Sequence, residues 1–158
     1  MSKDVVSVER VIPAPPEAIF ALVADASRHH DLDGSGSVVA LRAGAPERLS
    51  LGSVFGMSMK IGIAYSMVNT VVEYDENRRI AWKVEPPNGL MAKLSGGRIW
   101  RYELEPVDGR TRVRESWDIS SDKGRLMLRM TNAGQAKRAM EKTLERIEQL
   151  TAGAPGSS

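Results

Sequence analysis

The stretch "NAGQAKRAMEKTLERIEQL", residues 132–150, constrains this chain more than any other. Ala133, Ala136, Met140, Leu144, Ile147 and Leu150 recur at spacings of three and four with charged residues between them. That pattern is one apolar stripe along a helix of about five turns. Such a helix needs an apolar surface to lie against, and the rest of the chain must supply it. The period before it is different. Residues 37–43, 53–61, 63–75, 79–85, 97–106 and 111–119 read as strands. Their joints, "RAGAPERLSLG", "IG", "DENRR", "PPNGLMAKLSGG" and "VDGR", carry the Gly, Pro, Asn and Asp residues that reverse a chain. None is long enough to hide a crossover helix, so consecutive strands are expected to pair antiparallel.

The N-terminal part adds a β-branched strand, Val5 to Ile12, and a proline-opened amphipathic helix over about 16–25 in "PAPPEAIFALVAD". "ASRHHDLDGSG", residues 26–36, follows as a second short helix or turn, with Ser27 available as a cap and Gly34 and Gly36 as breaks. "KGRLMLRM" before the long helix reads as a separate helical segment, because Asn132 and Gly134 weaken the join. The expected class is α+β: a curved antiparallel sheet of about seven strands wrapped around a long C-terminal helix, with two small helices after the first strand. Residues 1–150 are expected to form a single domain, and "TAGAPGSS", residues 151–158, a disordered tail.

Composition removes several classes of function. The chain has 158 residues, is 42% hydrophobic and 27% charged, and contains no cysteine. Disulfides, thiolate nucleophiles and cysteine-ligated zinc or iron–sulfur centres are therefore excluded. A net charge of +2, with acids interleaved among the Lys and Arg residues, lacks the concentrated basic face of a nucleic-acid binder. No apolar run reaches membrane-spanning length, and the stretch "MSKDVVSVER" lacks the apolar run expected of a signal peptide. The expectation is a cytoplasmic protein without stable membrane insertion, a monomer or weak homodimer.

Three stretches resemble one superfamily. "VIPAPPEAIFALVADASRHHDL" is similar to an opening of the form "I.ap.e.vf..vaD..r...w", "VVEYDENRRIAW" to "V.e.dp.rrl.w", and "TLERI" to a closing "TLeRl". Together with the order of elements over residues 4 to 150, they resemble the START-like or Bet v 1-like superfamily (SRPBCC), which includes the polyketide cyclase/dehydrase and lipid-transport family. The "HHDLDGSG" variant resembles that of uncharacterised actinobacterial members, and it replaces the aromatic residue often found after the first helix. The resemblance implies a helix-grip fold with a cavity between sheet and long helix that holds lipids, sterols, quinones, plant hormones or polyketide intermediates. A fold does not choose among these.

Alternation indicates which side chains face that helix. Trp100, Tyr102 and Leu104 share one face of their strand, and Val113, Glu115, Trp117 and Ile119 share one face of the next. Glu115 is the exception, a carboxylate on an apolar and aromatic face, where desolvation raises a pKa unless a partner compensates. It reads either as a ligand anchor or general acid/base, or as a structural carboxylate bonded to Tyr65, Tyr102 or a cation. Phe55, Met57, Met59 and Ile61 alternate together, as do Ile80, Trp82 and Val84. The resemblance adds Tyr65, Met67, Asn69 and Val71 as the inner set of 63–75. Eight methionines suit an adaptable lining and equally a filled core. Leu90, Met91 and Leu94, between glycines, read as a gate over a pocket mouth or as packing against Leu126, Met127 and Met130.

His29 and His30 are the two histidines. Neighbours on a helix point about 100° apart, so they do not converge on one ion. Asp25, His29 and Asp33 share a face only if the helix continues past Gly34 and Gly36, so no metal site is expected. The segment reads as a turn at a pocket entrance. No G-x-S-x-G elbow is present, and "GSGS" lacks the lysine of a phosphate loop. The leading expectation is a carrier or sensor that binds a hydrophobic small molecule without a cofactor, using Glu115, Tyr65, Asn69 and Tyr102 as polar contacts and Met57, Met59, Met67, Trp82, Leu90, Met91, Trp100, Trp117, Met127 and Met130 as lining. The alternative is a polyketide cyclase/aromatase or dehydratase, with Glu115, His29 or His30 moving protons. A protein-interaction module, like the superfamily's co-chaperone branch, is a third reading.

Overall fold

β1 (Val5–Ile12) is followed by α1 (Pro16–Val23), a single 3-10 turn (Ala26–Arg28), β2 (Val38–Leu41), β3 (Val54–Ile61), β4 (Ile63–Asp75), β5 (Arg79–Glu85), β6 (Arg98–Val107), β7 (Arg110–Asp118), α2 (Arg125–Thr131) and α3 (Ala133–Thr151). The computed structural model describes residues 4–29, 38–41, 48–61, 63–87 and 96–151. The seven strands form one antiparallel sheet in the order β1-β7-β6-β5-β4-β3-β2. The sheet curves around the long C-terminal helix, in the helix-grip arrangement. β2 to β7 are a meander in which each strand pairs with its successor, as the short joints require. β1 is the exception: it crosses to the far edge and pairs with β7 from Val5↔Asp118 to Ile12↔Thr111.

Local chemistry explains the tightest joints. Asp108 and Gly109, with φ of 50° and 79°, make the two-residue loop between β6 and β7. Positive φ at both central residues gives the twist that suits a hairpin, and Asp-Gly accepts it at low cost. Asn77, with φ of 62°, turns β4 into β5. A bulge between Val71 and Glu73 re-aims the end of β4. Beyond it Tyr74 faces inward and meets the Phe20 ring edge-on at 5.6 Å. Strict alternation from Val71 would have put Tyr74 on the other face.

The core lies between the inner face of the sheet and the helices. Ile19, Phe20 and Val23 of α1, Ile12, Ile80 and Val113 of the strands, and Met140, Leu144 and Ile147 of α3 are fully buried. The stripe on α3 ends differently from the expected one. Leu150 is 42% exposed, and Thr143 and Thr151 are buried instead. Four residues after Ile147 complete a turn more closely than three, so Thr151 continues the inward face. Its hydroxyl donates to the Ile147 carbonyl at 2.7 Å and that of Thr143 to Ala139 at 2.9 Å, so neither is buried unsatisfied. Thr151 thus belongs to the helix; 152–158 lie outside the described residues. Arg10 on β1 clamps α3 through Glu148 at 3.1 Å.

The outer face of the sheet carries paired charges. Arg101 binds Glu73 at 2.6 Å and Asp118 at 3.5 Å, Arg79 binds Glu103 at 2.7 Å, and Arg114 binds Glu9 at 2.7 Å. The Arg101 guanidinium, hydrogen-bonded to Glu73, holds that carboxyl below its usual value against the opposing effect of burial. Burial pushes Asp118 upward, but hydrogen bonds from Ser120 and the charge of Arg101 outweigh it and leave it lowered.

Candidate ligand-binding site

The register of β5, β6 and β7 lines up one side chain per strand on the inner face. Trp82 lies opposite Trp100, and Trp100 opposite Trp117. One pair further along, Ile80 lies opposite Tyr102, Tyr102 opposite Glu115, and Glu115 opposite Val8 of β1. Directly opposed residues have Cβ atoms about 5 Å apart, close enough for side chains to bond. The Tyr102 hydroxyl donates to Glu115 Oε2 at 3.0 Å. Both residues are 3% exposed. A buried carboxylate without hydrogen bonds is costly, and this phenol offsets part of that cost.

His29 completes the wall from the other side. The 3-10 turn after α1 carries it inward, and the residue is 4% exposed. His29 Nε2 lies 2.7 Å from the Val23 carbonyl, which can only accept, so Nε2 bears the proton. In the neutral ring Nδ1 then holds the lone pair. The ring stacks on Trp82 at 4.8 Å between centroids and 25° between planes, and meets Phe55 edge-on at 5.5 Å. Trp82 also lies 5.7 Å from both Phe55 and Tyr102. Phe55, His29, Trp82, Tyr102 and Glu115 therefore form one continuous row, with a basic ring near one end and a carboxylate at the other.

Asn69 is buried on β4, opposite Phe55, and its Nδ2 donates to the Phe55 carbonyl at 3.3 Å. Met67 and Val71 are buried on the same strand. Trp117 is buried, and Trp100 half-buried with its ring 6.4 Å from that of Trp117. The structure thus brings Trp82, Tyr102, Glu115, Asn69, Met67, Trp100 and Trp117 onto the inner face.

Met57, Met59 and Tyr65 occupy β3 and β4, with Met57 opposite Met67 and Met59 opposite Tyr65, and their side chains lie outside what is described. His30, Leu90 and Met91 also lie outside the described residues.

Two expectations need correction. Met127 and Met130, read as lining, are 72% and 79% exposed on α2. The short helix turns Leu128 toward the core, and the helical period then carries Met127 and Met130 outward. His29, read as part of an entrance turn, lies inside the aromatic wall, because the 3-10 turn redirects the chain inward. Nothing in the local sequence announces that stack, since its partners come from β3 and β5. Among the described residues no three His, Asp or Glu side chains converge to hold a metal ion.

Sequence reading also missed Asp122. Its Oδ2 accepts from the Arg98 backbone N–H at 3.1 Å and its Oδ1 from Gly124 at 2.7 Å, tying the approach to α2 to the start of β6. Gly97 is needed beside it: at φ 110°, an added Cβ would lie 2.7 Å from the Ser121 carbonyl oxygen.

The fold recurs in solved structures. A protein from Nitrosomonas europaea, NE0264, superposes with a TM-score of 0.72 at 11% identity over 97% of both chains. The AHSA1 protein SPO3351 from Silicibacter pomeroyi gives 0.66 at 16% identity, covering 94% of this chain and 97% of that one. In sequence the chain is 35% identical over 109 residues to the uncharacterized protein Rv0088 of Mycobacterium tuberculosis, covering 68% of this chain and 44% of the relative. The chain thus spans less than half the length of that relative. The model of the polyketide cyclase/dehydrase and lipid transport family matches residues 3–151, and the chain belongs to that family.

Proposed function

We propose that this protein binds a small, largely hydrophobic molecule of lipid, polyketide or isoprenoid-like character against the inner face of its sheet, as a carrier or sensor. The observation that carries this reading is Glu115, buried in an aromatic wall and bonded to the phenol of Tyr102. A core that only had to be filled would be served better by an apolar residue, which has no desolvation cost. An oriented carboxylate and phenol suit a hydroxyl or carbonyl on an otherwise apolar ligand. The family's description, which includes lipid transport, supports the same class. On this reading residues 1–150 act as one ligand-binding domain in the cytoplasm, as a monomer or weak homodimer, with no cofactor.

One observation favours a second reading, a cyclase or dehydratase: His29 and Glu115, two side chains able to exchange protons, are buried along the same wall. Trp82 and Tyr102 stand between them, so a substrate would have to span both rings to meet both groups.

Native mass spectrometry of gently purified protein, followed by identification of any released molecule, tests the binding reading. It is paired with Nile red titration of the parent and of Glu115→Gln and Tyr102→Phe. Expected are a stoichiometric apolar adduct and weaker dye binding in both variants with the fold intact. An empty spectrum together with unchanged dye binding removes the row from the site. Conversion of an added polyketide-like substrate, lost in His29→Phe, favours the enzyme.

A further inference from the structure

Among the described residues, nothing covers one apolar face of α2. Leu126, Met127 and Met130 are 60%, 72% and 79% exposed. At about 100° per residue, they fall within roughly 100° of arc on this helix. Leu128 points the other way and packs on the core, so the helix is anchored by one residue and offers three. Large apolar side chains so exposed on one short element mark an interaction surface.

The charges around this face name its partner. Between Asp122 and Glu141 the chain holds Lys123, Arg125, Arg129, Lys137 and Arg138 and no acidic residue. Asp122 is buried and committed to backbone N–H groups. Arg125 and Arg129, one turn apart, border the apolar arc on the Leu126 side. Arg129 contacts Asp4 at 3.4 Å, and Arg125 donates to the Ser120 carbonyl at 3.2 Å, which holds both beside the helix. Lys137 and Arg138 are exposed on the second turn of α3.

An apolar arc bordered by cations is the arrangement of a helix lying in a membrane interface. The apolar residues enter the acyl boundary and the cations meet anionic headgroups. An acidic protein surface would pair with the cations but would give the two methionines and the leucine no apolar medium. No helix among the described residues is long and apolar enough to cross a bilayer, so the contact is peripheral.

We propose that α2 and the two residues before it form a docking surface for anionic lipid bilayers, with Leu126, Met127 and Met130 inserted and Lys123, Arg125 and Arg129 at the headgroups. None of these residues belongs to the aromatic wall, and the proposal stands whatever ligand that wall takes.

The test is flotation of the full chain with two kinds of vesicle, phosphatidylcholine alone and phosphatidylcholine with about 40 mol% phosphatidylglycerol. No other ligand is added, so failure here leaves the ligand reading standing. Two variants accompany the parent: Leu126→Ser/Met127→Ser/Met130→Ser and Lys123→Glu/Arg125→Glu. Because the three apolar side chains are mostly exposed, the serine variant is expected to keep the parent's circular dichroism and melting temperature. Expected is binding to the anionic vesicles only, weakened at least about tenfold in each variant. Three outcomes overturn the proposal: no flotation with anionic vesicles, equal flotation with neutral ones, or full retention by the serine variant. A fourth does too, in favour of a second copy of this chain: concentration-dependent self-association, lost in the serine variant, without vesicle binding.

Discussion

Tyr102 and Glu115 sit directly opposite each other on β6 and β7, and the phenol hydroxyl donates to the buried carboxylate at 3.0 Å. Each makes the other's burial tolerable. Tyr102→Phe removes the donor and leaves Glu115 in place, so it is expected to lower unfolding free energy by about 1–3 kcal/mol. Glu115→Gln keeps an acceptor and should cost less. Urea unfolding of both single variants and the double variant checks this, with coupling expected because the residues are in contact.

His29 stacks on Trp82 while donating to Val23. His29→Ala removes both the ring and the donor, and a loss of about 1–3 kcal/mol is expected together with a change in tryptophan emission. His29→Phe restores a ring against Trp82 but leaves the Val23 carbonyl without this partner, so it should recover the emission more fully than the stability. Equal stability of the two variants would assign the effect to the hydrogen bond alone.

The ion pairs on the outer face set an acid limit. Glu73 is held below its unfolded value of 4.5, chiefly by its hydrogen bonds from Arg101. Its contribution is therefore fully present above that value and is lost as pH falls from 4.5 through the lower folded value. Asp118, lowered from 3.8, adds to the same trend at slightly more acid pH. Thermal unfolding across this range should show a steeper acid loss in the parent than in Arg101→Gln, whose carboxylates lose their shared guanidinium.

Asp122 and Gly97 bind the approach to α2 to the start of β6. Asp122→Ala removes acceptors for Arg98 and Gly124 and is expected to cost about 1–3 kcal/mol, with Asp122→Asn intermediate. Gly97→Ala places a methyl 2.7 Å from the Ser121 carbonyl oxygen at a positive φ, so it should destabilise as well. Hydrogen exchange should locate the loosening at residues 119–131 rather than in α3.

The sequence by itself determined the strand-rich centre, the Asp-Gly hairpin, the break before the long helix and the inward faces of β5, β6 and β7. Each of these follows from nearest-neighbour sterics or from a period that backbone geometry imposes. Local pattern thus put Trp100, Tyr102, Glu115 and Trp117 on one wall. It did not place β1 beside β7, because that pairing joins residues 99 to 113 positions apart and no turn signal announces it. It missed the inward turn of Tyr74, which depends on a bulge, and the burial of Thr151 in place of Leu150, which depends on where α3 meets the sheet. The bond between Tyr102 and Glu115 and the stack of His29 on Trp82 were likewise decided only in the tertiary structure. Alternation says which face a side chain takes, whereas a hydrogen bond or a ring contact needs the register and curvature that fix distance.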